Sequence, residues 1–225
     1  EDAAIVVIAI GEARKPGQTR LDMLGRSVEM LKELLEQLKP YKISGIVVTI
    51  TNPADIVADY VRKGLGLERN RVFGTGTLLD TARLIRTLSE ESGVGRRSIQ
   101  AYSLGEHGDS SMIPFSSVTI GGLPFEDYDI SKEKVLEATR QIGMTIIEGK
   151  KSTEFGIGRA LTEMAACILR DEKKIMPASV LLQGEYGQHD VHCGVPCLIG
   201  KNGIEKIIEL PLTEEEQEML NQSCE

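Results

Sequence analysis

Two short aliphatic runs, Ile5-Val-Val-Ile-Ala-Ile10 and Ile43-Ser-Gly-Ile-Val-Val-Thr-Ile50, constrain the fold more tightly than any other feature of the chain. Neither alternates polar with apolar residues, so each reads as a strand covered on both faces, as in a parallel sheet. Between them lies a polar loop, residues 11–20, punctuated by Pro16 and Gly17. A helix follows, with Thr19 as its cap, Leu21, Leu24, Val28, Leu31, Leu34, Leu35 and Leu38 at helical spacing, and Pro40 as its stop. Strand, loop, helix and strand in this order close as a right-handed crossover with parallel strands. The first run reads as a central strand. Domains rarely begin on their central strand, so further sequence is expected upstream of residue 1.

The pattern continues with a helix over 54–63 closed by Gly64 and Gly66, a strand at 71–73, and a Gly74-Thr-Gly-Thr77 turn into a helix over 78–90. A strand over 98–104 and a hairpin at 116–120, turned by Gly121-Gly122, come next. Beyond that the order changes to helices over 132–150 and 156–170, then strands over 178–182, 191–199 and 204–209. The Gly184-Glu-Tyr-Gly187 and Lys201-Asn-Gly203 turns join these strands, and a last helix covers 212–224. The expectation is an α/β chain in two parts. Residues 1–74 would be the second half of a doubly wound, dinucleotide-binding parallel sheet, and residues 75–225 an α+β substrate domain.

A formal charge of −8 disfavours non-specific attraction to nucleic acid or an anionic membrane. No run of eighteen apolar residues and no leader-like segment occurs, and four cysteines make no disulfide framework for 225 residues. These features point to a cytoplasmic protein with reduced thiols.

Chemistry is concentrated at the carboxyl ends of the predicted parallel strands, where open α/β sheets bind ligands. Gly105-Glu-His-Gly-Asp109 ends an extended segment with a histidine between two glycines, and histidine can give and take a proton near neutrality. Asp80, on the 78–90 helix, is the carboxylate placed to orient such a ring, as a general acid/base requires. Arg83, one turn further on, shares its face and suits two-bond recognition of a carboxylate. Arg14 and Arg20 flank the polar loop, the arrangement of a lid that carries charge onto a substrate. The cluster His189-Asp-Val-His192-Cys193 lacks zinc-finger spacing. Strand alternation would send its neighbours to opposite faces, so satisfied strand residues are the favoured reading.

Arg14-Lys-Pro-Gly-Gln-Thr-Arg20, Thr51-Asn-Pro53, Gly74-Thr-Gly-Thr-Leu-Leu-Asp-Thr-Ala-Arg83, Gly105-Glu-His-Gly-Asp109 and Gly184-Glu-Tyr-Gly187 occur together and in order. In this the chain resembles the L-lactate and malate dehydrogenases over essentially its whole length. The resemblance implies NAD as cofactor, a small 2-hydroxy or 2-oxo acid as substrate, and a homodimer or homotetramer. It implies His107 as the acid/base, Asp80 as its orienter and Arg83 as the carboxylate partner, with Arg20 polarising the carbonyl. Asn52, before a cis peptide, would lie near the nicotinamide ribose and the substrate oxygen. Thr153 would lie on the substrate, and Gly11 and Thr75 against the nicotinamide. The glycine-rich pyrophosphate turn and the acidic ribose ligand of such a site would lie upstream of residue 1.

Two positions depart from the lactate pattern. Arg14 stands where lactate enzymes usually carry glutamine and malate enzymes arginine, although Thr153 and the C-terminal half follow the lactate pattern. Lactate is the reading by overall resemblance and malate the alternative. A catalytically silent fragment serving only in assembly is a further alternative. The second departure lies where many bacterial lactate enzymes place a histidine and an arginine to bind fructose 1,6-bisphosphate, since this chain has Gln100 and Ile85. Saturating sugar bisphosphate should therefore leave the Michaelis constant unchanged. A lowered constant in that titration would refute the reading of Gln100 and Ile85.

Overall fold

The computed structural model describes residues 2–11, 20–150 and 153–225, with residues 20–24 and 26 as backbone alone. The two apolar runs become β1 (Ile5–Ile8) and β2 (Ile46–Thr49), joined through α1 (Arg20–Leu38). Next, α2 (Ala54–Leu65) leads to β3 (Val72–Gly74). The pairing is parallel, with Ile8 opposite Thr49 and Thr49 opposite Gly74, so three strands finish at one level. All four residues of β2 are buried. Val47 packs with Leu31, Leu35, Val57 and Val61 on the helical side, while Ile46 and Val48 meet Met164 and Val180 on the other. This two-sided burial is why the run carries no polar alternation.

Among the described strands β1 bonds to β2 alone, and Val7 is 41% exposed.

A Gly74–Ser179 pairing joins β3 to β7 (Lys174–Gln183) in antiparallel fashion, and β8 (His189–Gly200) and β9 (Gly203–Ile207) follow. The result is one six-stranded sheet in the order β1-β2-β3-β7-β8-β9. Preceding β7 in sequence are α3 (Leu78–Ser92), a small sheet of β4 (Ile99–Gln100), β5 (Thr119–Ile120) and β6 (Leu123–Pro124), and the helices α4 (Lys132–Lys150) and α5 (Glu154–Arg170). The chain then closes with α6 (Glu214–Cys224), which a capping box starts: Glu216 N–H donates to Thr213 Oγ1, and the Glu216 carboxylate accepts from Thr213 N–H. No helix among the described residues is long and apolar enough to cross a membrane.

The strand expected over 98–104 is shortened to Ile99–Gln100, and Ser98 belongs to a 3-10 turn. Beyond Gln100 the chain stays extended, but its polar groups are met by side chains of the α3 region instead of a neighbouring strand. Thr77 Oγ1 donates to Ser103 O at 2.6 Å, and Ser103 N–H donates to Thr81 Oγ1 at 2.9 Å. Buried backbone groups must find partners, and two threonines one turn apart supply them here. Leu104 then bridges to Met112, and Gly105 exchanges hydrogen bonds with Gly194 of β8 at 3.0 and 2.9 Å.

Glycine is required at both ends of that last contact. Gly105 has φ +95°, and a Cβ there would stand 2.2 Å from Ser223 Oγ. A Cβ at Gly194 would stand 2.6 Å from Thr77 Oγ1 and 3.0 Å from Gly105 O. Gly194→Ala should therefore destabilise the protein by about 1–3 kcal/mol, the usual range for overpacking. The expected readout is a lower urea midpoint at unchanged slope, and a wild-type midpoint would contradict it.

Candidate active site

Helix α3 carries the central group. From its first turn, Asp80 presents one carboxylate oxygen to each of two partners. Oδ2 accepts from His107 Nδ1–H at 2.6 Å, and Oδ1 accepts from Arg83 Nη1 at 2.9 Å. The three side chains are 17–24% exposed, so they form a largely buried, open-sided triad. The sequence-predicted pairing of Asp80 with His107 is thus made, and Arg83 lies on the same face rather than on the outer surface. The bond to Asp80 leaves further guanidinium N–H groups for another anion.

Sequence reading missed a second carboxylate. Asp55, in the first turn of α2, accepts from the backbone N–H of His107 at 2.9 Å and from Ser179 Oγ of β7 at 2.5 Å. The chain therefore grips His107 twice, by its ring and by its backbone. The available signal was an acidic residue two positions after the Asn52–Pro53 pair, easily read as a dipole-compensating start to α2. Nothing in the sequence announces that Ser179, far along the chain, meets it.

Charge tuning follows this geometry. Burial works against the imidazolium, yet the Asp80 hydrogen bond and the charges of Asp80 and Asp55 outweigh it and raise the His107 pKa above its ordinary 6.5. Burial likewise pushes Asp80 upward. The His107 hydrogen bond and the charges of His107 and Arg83 prevail and hold it below the usual carboxylate range. At Asp55 burial wins over the bonds from Ser179 and His107, and its pKa is raised.

Arg83 and Thr153 line one cavity of about 390 Å³ between α3, α4 and the start of α5. The guanidinium of Arg83 lies against Gly143 of α4. Thr153 occupies the N-cap position of α5, with no side-chain cap bond. Gly11, Asn52 and Thr75 follow the ends of β1, β2 and β3 respectively. The Asn52–Pro53 peptide is cis, and the Asn52 side chain is exposed. Thr75 is buried and donates its N–H to Thr49 O, and a Cβ at Gly11 would meet no atom of the described residues within 4 Å. An exposed amide beside the ends of adjacent parallel strands fits the polar, nicotinamide side of a dinucleotide. Arg14 and the predicted cap Thr19 lie outside the described residues, as does the side chain of Arg20, whose backbone opens α1.

The His189–Cys193 segment alternates as expected. His192 turns toward α2, with Nδ1 3.4 Å from Asp59 Oδ1, while Cys193 turns toward α6. His192 is not a satisfied strand residue, however. Neither ring nitrogen has a hydrogen-bond partner among the described residues, and burial pushes its pKa down to about 4, leaving it neutral near pH 7.

Comparison with known proteins agrees with this geometry. Residues 1–74 match the family profile described as lactate/malate dehydrogenase, NAD binding domain. Residues 77–225 match the profile described as lactate/malate dehydrogenase, alpha/beta C-terminal domain. The chain belongs to the lactate/malate dehydrogenase family. It is an oxidoreductase of that NAD-dependent type. A relative named L-lactate dehydrogenase 3, from Bacillus anthracis, is 42% identical over 226 residues, covering 96% of this chain and 72% of the relative. The solved lactate dehydrogenase MGS-M5, from a Medee basin deep-sea metagenome, superposes with a TM-score of 0.93 at 38% identity over 99% of this chain and 74% of that one. The malate dehydrogenase of Aeropyrum pernix superposes with a TM-score of 0.92, also at 38% identity, over 99% of this chain and 73% of that one.

The opposed pKa directions give a test. The raised His107 pKa contributes stability that is complete below pH 6.5 and lost as pH climbs through the raised value. The lowered Asp80 pKa contributes stability present above the ordinary carboxylate range and lost as pH falls through the lowered value. With three histidines in the chain, the ring signal of His107 can be followed by NMR. Its midpoint should lie above 6.5 and drop in Asp80→Asn, with a smaller drop in Asp55→Asn. Superimposable titrations of wild type and Asp80→Asn would remove this account of the site.

Proposed function

We propose that the chain interconverts an L-2-hydroxy acid and its 2-oxo acid, with lactate and pyruvate as the natural pair. One observation carries the reading: a single buried carboxylate is shared by a proton-transfer group, His107, and an anion-binding group, Arg83. The proton and the substrate are thereby positioned from the same atom pair.

NAD supplies or accepts the hydride, while the protein supplies orientation and charge. In the reducing direction Arg83 grips the substrate carboxylate, and protonated His107 gives its proton to the carbonyl oxygen as that oxygen gains charge. In the oxidising direction neutral His107 takes the hydroxyl proton. Asp80 keeps the ring in the tautomer with hydrogen on Nδ1 and stabilises the imidazolium, which leaves Nε2 to face the substrate. Arg20 polarises the carbonyl once the 11–20 loop closes, and Thr153 lies on the substrate. Asn52 hydrogen-bonds near the nicotinamide ribose and the substrate oxygen, with Gly11 and Thr75 along the nicotinamide. In this reading residues 1–74 hold the dinucleotide and 75–225 most of the substrate contacts, within a cytoplasmic homodimer or homotetramer.

Malate is the second reading, and Arg14 favours it. The two solved structures compared above, one a lactate and one a malate enzyme, are equally identical to this chain at 38%, so discrimination falls on the charge this residue brings. A charge-assisted bond from Arg14 to a second carboxylate would favour oxaloacetate by about 1.5–3 kcal/mol. Closed over a methyl group, the same arginine would be desolvated without a partner unless it turned to solvent.

The deciding assay follows NADH oxidation with pyruvate and with oxaloacetate. Turnover of pyruvate supports lactate, turnover of oxaloacetate alone supports malate, and turnover of neither supports the silent fragment. Arg14→Gln should lower the oxaloacetate-to-pyruvate ratio of kcat/KM by about 10- to 100-fold. An unchanged ratio would dismiss Arg14 as a specificity residue.

A further inference from the structure

One pair of reactive side chains is left unused by the proposed reaction. Cys193 on β8 and Cys224, the last residue of α6, sit with their sulfurs 3.2 Å apart, though 31 positions separate them in sequence. Cys193 is buried and Cys224 half-buried. The other two thiols face backbone carbonyls, Cys167 that of Ile199 and Cys197 that of Val195.

The neighbours of this pair hold the loop that carries His107. Gly194, which follows Cys193, exchanges two hydrogen bonds with Gly105. Ser223, which precedes Cys224, accepts from Glu106 N–H at 2.9 Å, and its hydroxyl lies 3.2 Å from that of Ser110. There is no slack between them, since a Cβ on Gly105 would stand 2.2 Å from Ser223 Oγ. Any movement that draws α6 toward β8 is passed to Gly105 and Glu106, and so to His107.

We propose that Cys193 and Cys224 form a reversible oxidation site, closed to a disulfide by a low-molecular-weight disulfide, and that closure acts on the histidine loop. In the first step the more accessible Cys224 thiolate attacks one sulfur of the small disulfide and expels one thiolate, leaving a mixed disulfide on Cys224. In the second, the Cys193 thiolate attacks Cys224 Sγ and expels the other small thiolate. Two protein thiols are thereby oxidised to one disulfide, the small disulfide is reduced to two thiols, and the two protein protons pass to the leaving thiolates. Their shared hydrogen bond lowers the Cys224 pKa and raises that of Cys193, consistent with Cys224 reacting first. A disulfide requires sulfurs about 2.05 Å apart, so the pair must close by roughly an ångström. A displacement of that size beside reacting groups is worth up to about 100-fold in rate.

The effect on activity rests on His107 being the acid/base; bond formation does not. The test treats the full protein with oxidised glutathione and then with dithiothreitol. Expected are a mass lower by two hydrogen atoms, a fall from four titratable thiols to two, and a linked peptide joining Cys193 to Cys224. The His107 ring resonance should shift, and turnover should fall by about 10- to 100-fold, both recovering on reduction. Cys224→Ser should keep its activity and its His107 signal under the same oxidant. A persistent glutathione adduct, a link through Cys167 or Cys197, or a Cys193–Cys224 link with an unmoved His107 resonance would each overturn the proposal. Absence of turnover in the reduced protein would instead count against the dehydrogenase reading, and leave mass, peptide map and resonance to judge this one.

Discussion

The structure depends on the cost of burying the Asp80 carboxylate. Moving such a charge out of water costs several kcal/mol, and a single neutral partner does not offset that. Asp80 has two partners that are or can be cationic, His107 and Arg83, one on each oxygen. The compensation is mutual, because each partner loses water as well and is held in place by the bond it makes. Removing any member would leave a charge buried without its counterpart. The residues that would do chemistry are thus fixed by the same bonds that make their burial tolerable.

Helix α3 and the residues just before it place these groups on one side and the frame on another. Thr77 and Thr81 face the extended segment that ends in Gly105, and bind it through Ser103. Further along the same face, Leu84 and Leu88 are buried together with Phe115 and Ile120. Asp80 and Arg83 project from a neighbouring side of the same helix. The histidine loop is therefore held by backbone contacts at Ser103 and Gly105 before its ring meets Asp80. A fixed loop spares the hydrogen bond to Asp80 part of the entropy of ordering it.

What the sequence revealed tracks how local each signal is. The apolar stripe of α1, the doubly buried β2 and the Asn-Gly turn before β9 depend on neighbours within a few residues, and these were legible. Asp80 and Arg83 were legible as a pair because one helical turn joins them. The extended segment after Gln100 was read as strand because its partners are threonine side chains, for which strand periodicity has no code. Asp55, Ser179 and the Cys193–Cys224 contact each join elements distant in sequence. No spacing rule could have brought them together without the sheet order.

The same division bears on specificity. The proposed proton transfer and carboxylate binding would draw on groups from α2, α3, β7 and the 105–109 loop, which buried hydrogen bonds cross-brace. The charges that would tell one acid from another, Arg14 and Arg20, belong to a polar stretch with proline and glycine at its centre and no apolar anchor of its own. A frame of this kind constrains reaction geometry without constraining the substrate's far end. The chain lies at 38% identity and near-equal superposition to both a lactate and a malate enzyme, as such a shared frame would allow. A single cation such as Arg14 would alter which anion is stabilised, with no change that the core or the sheet would register.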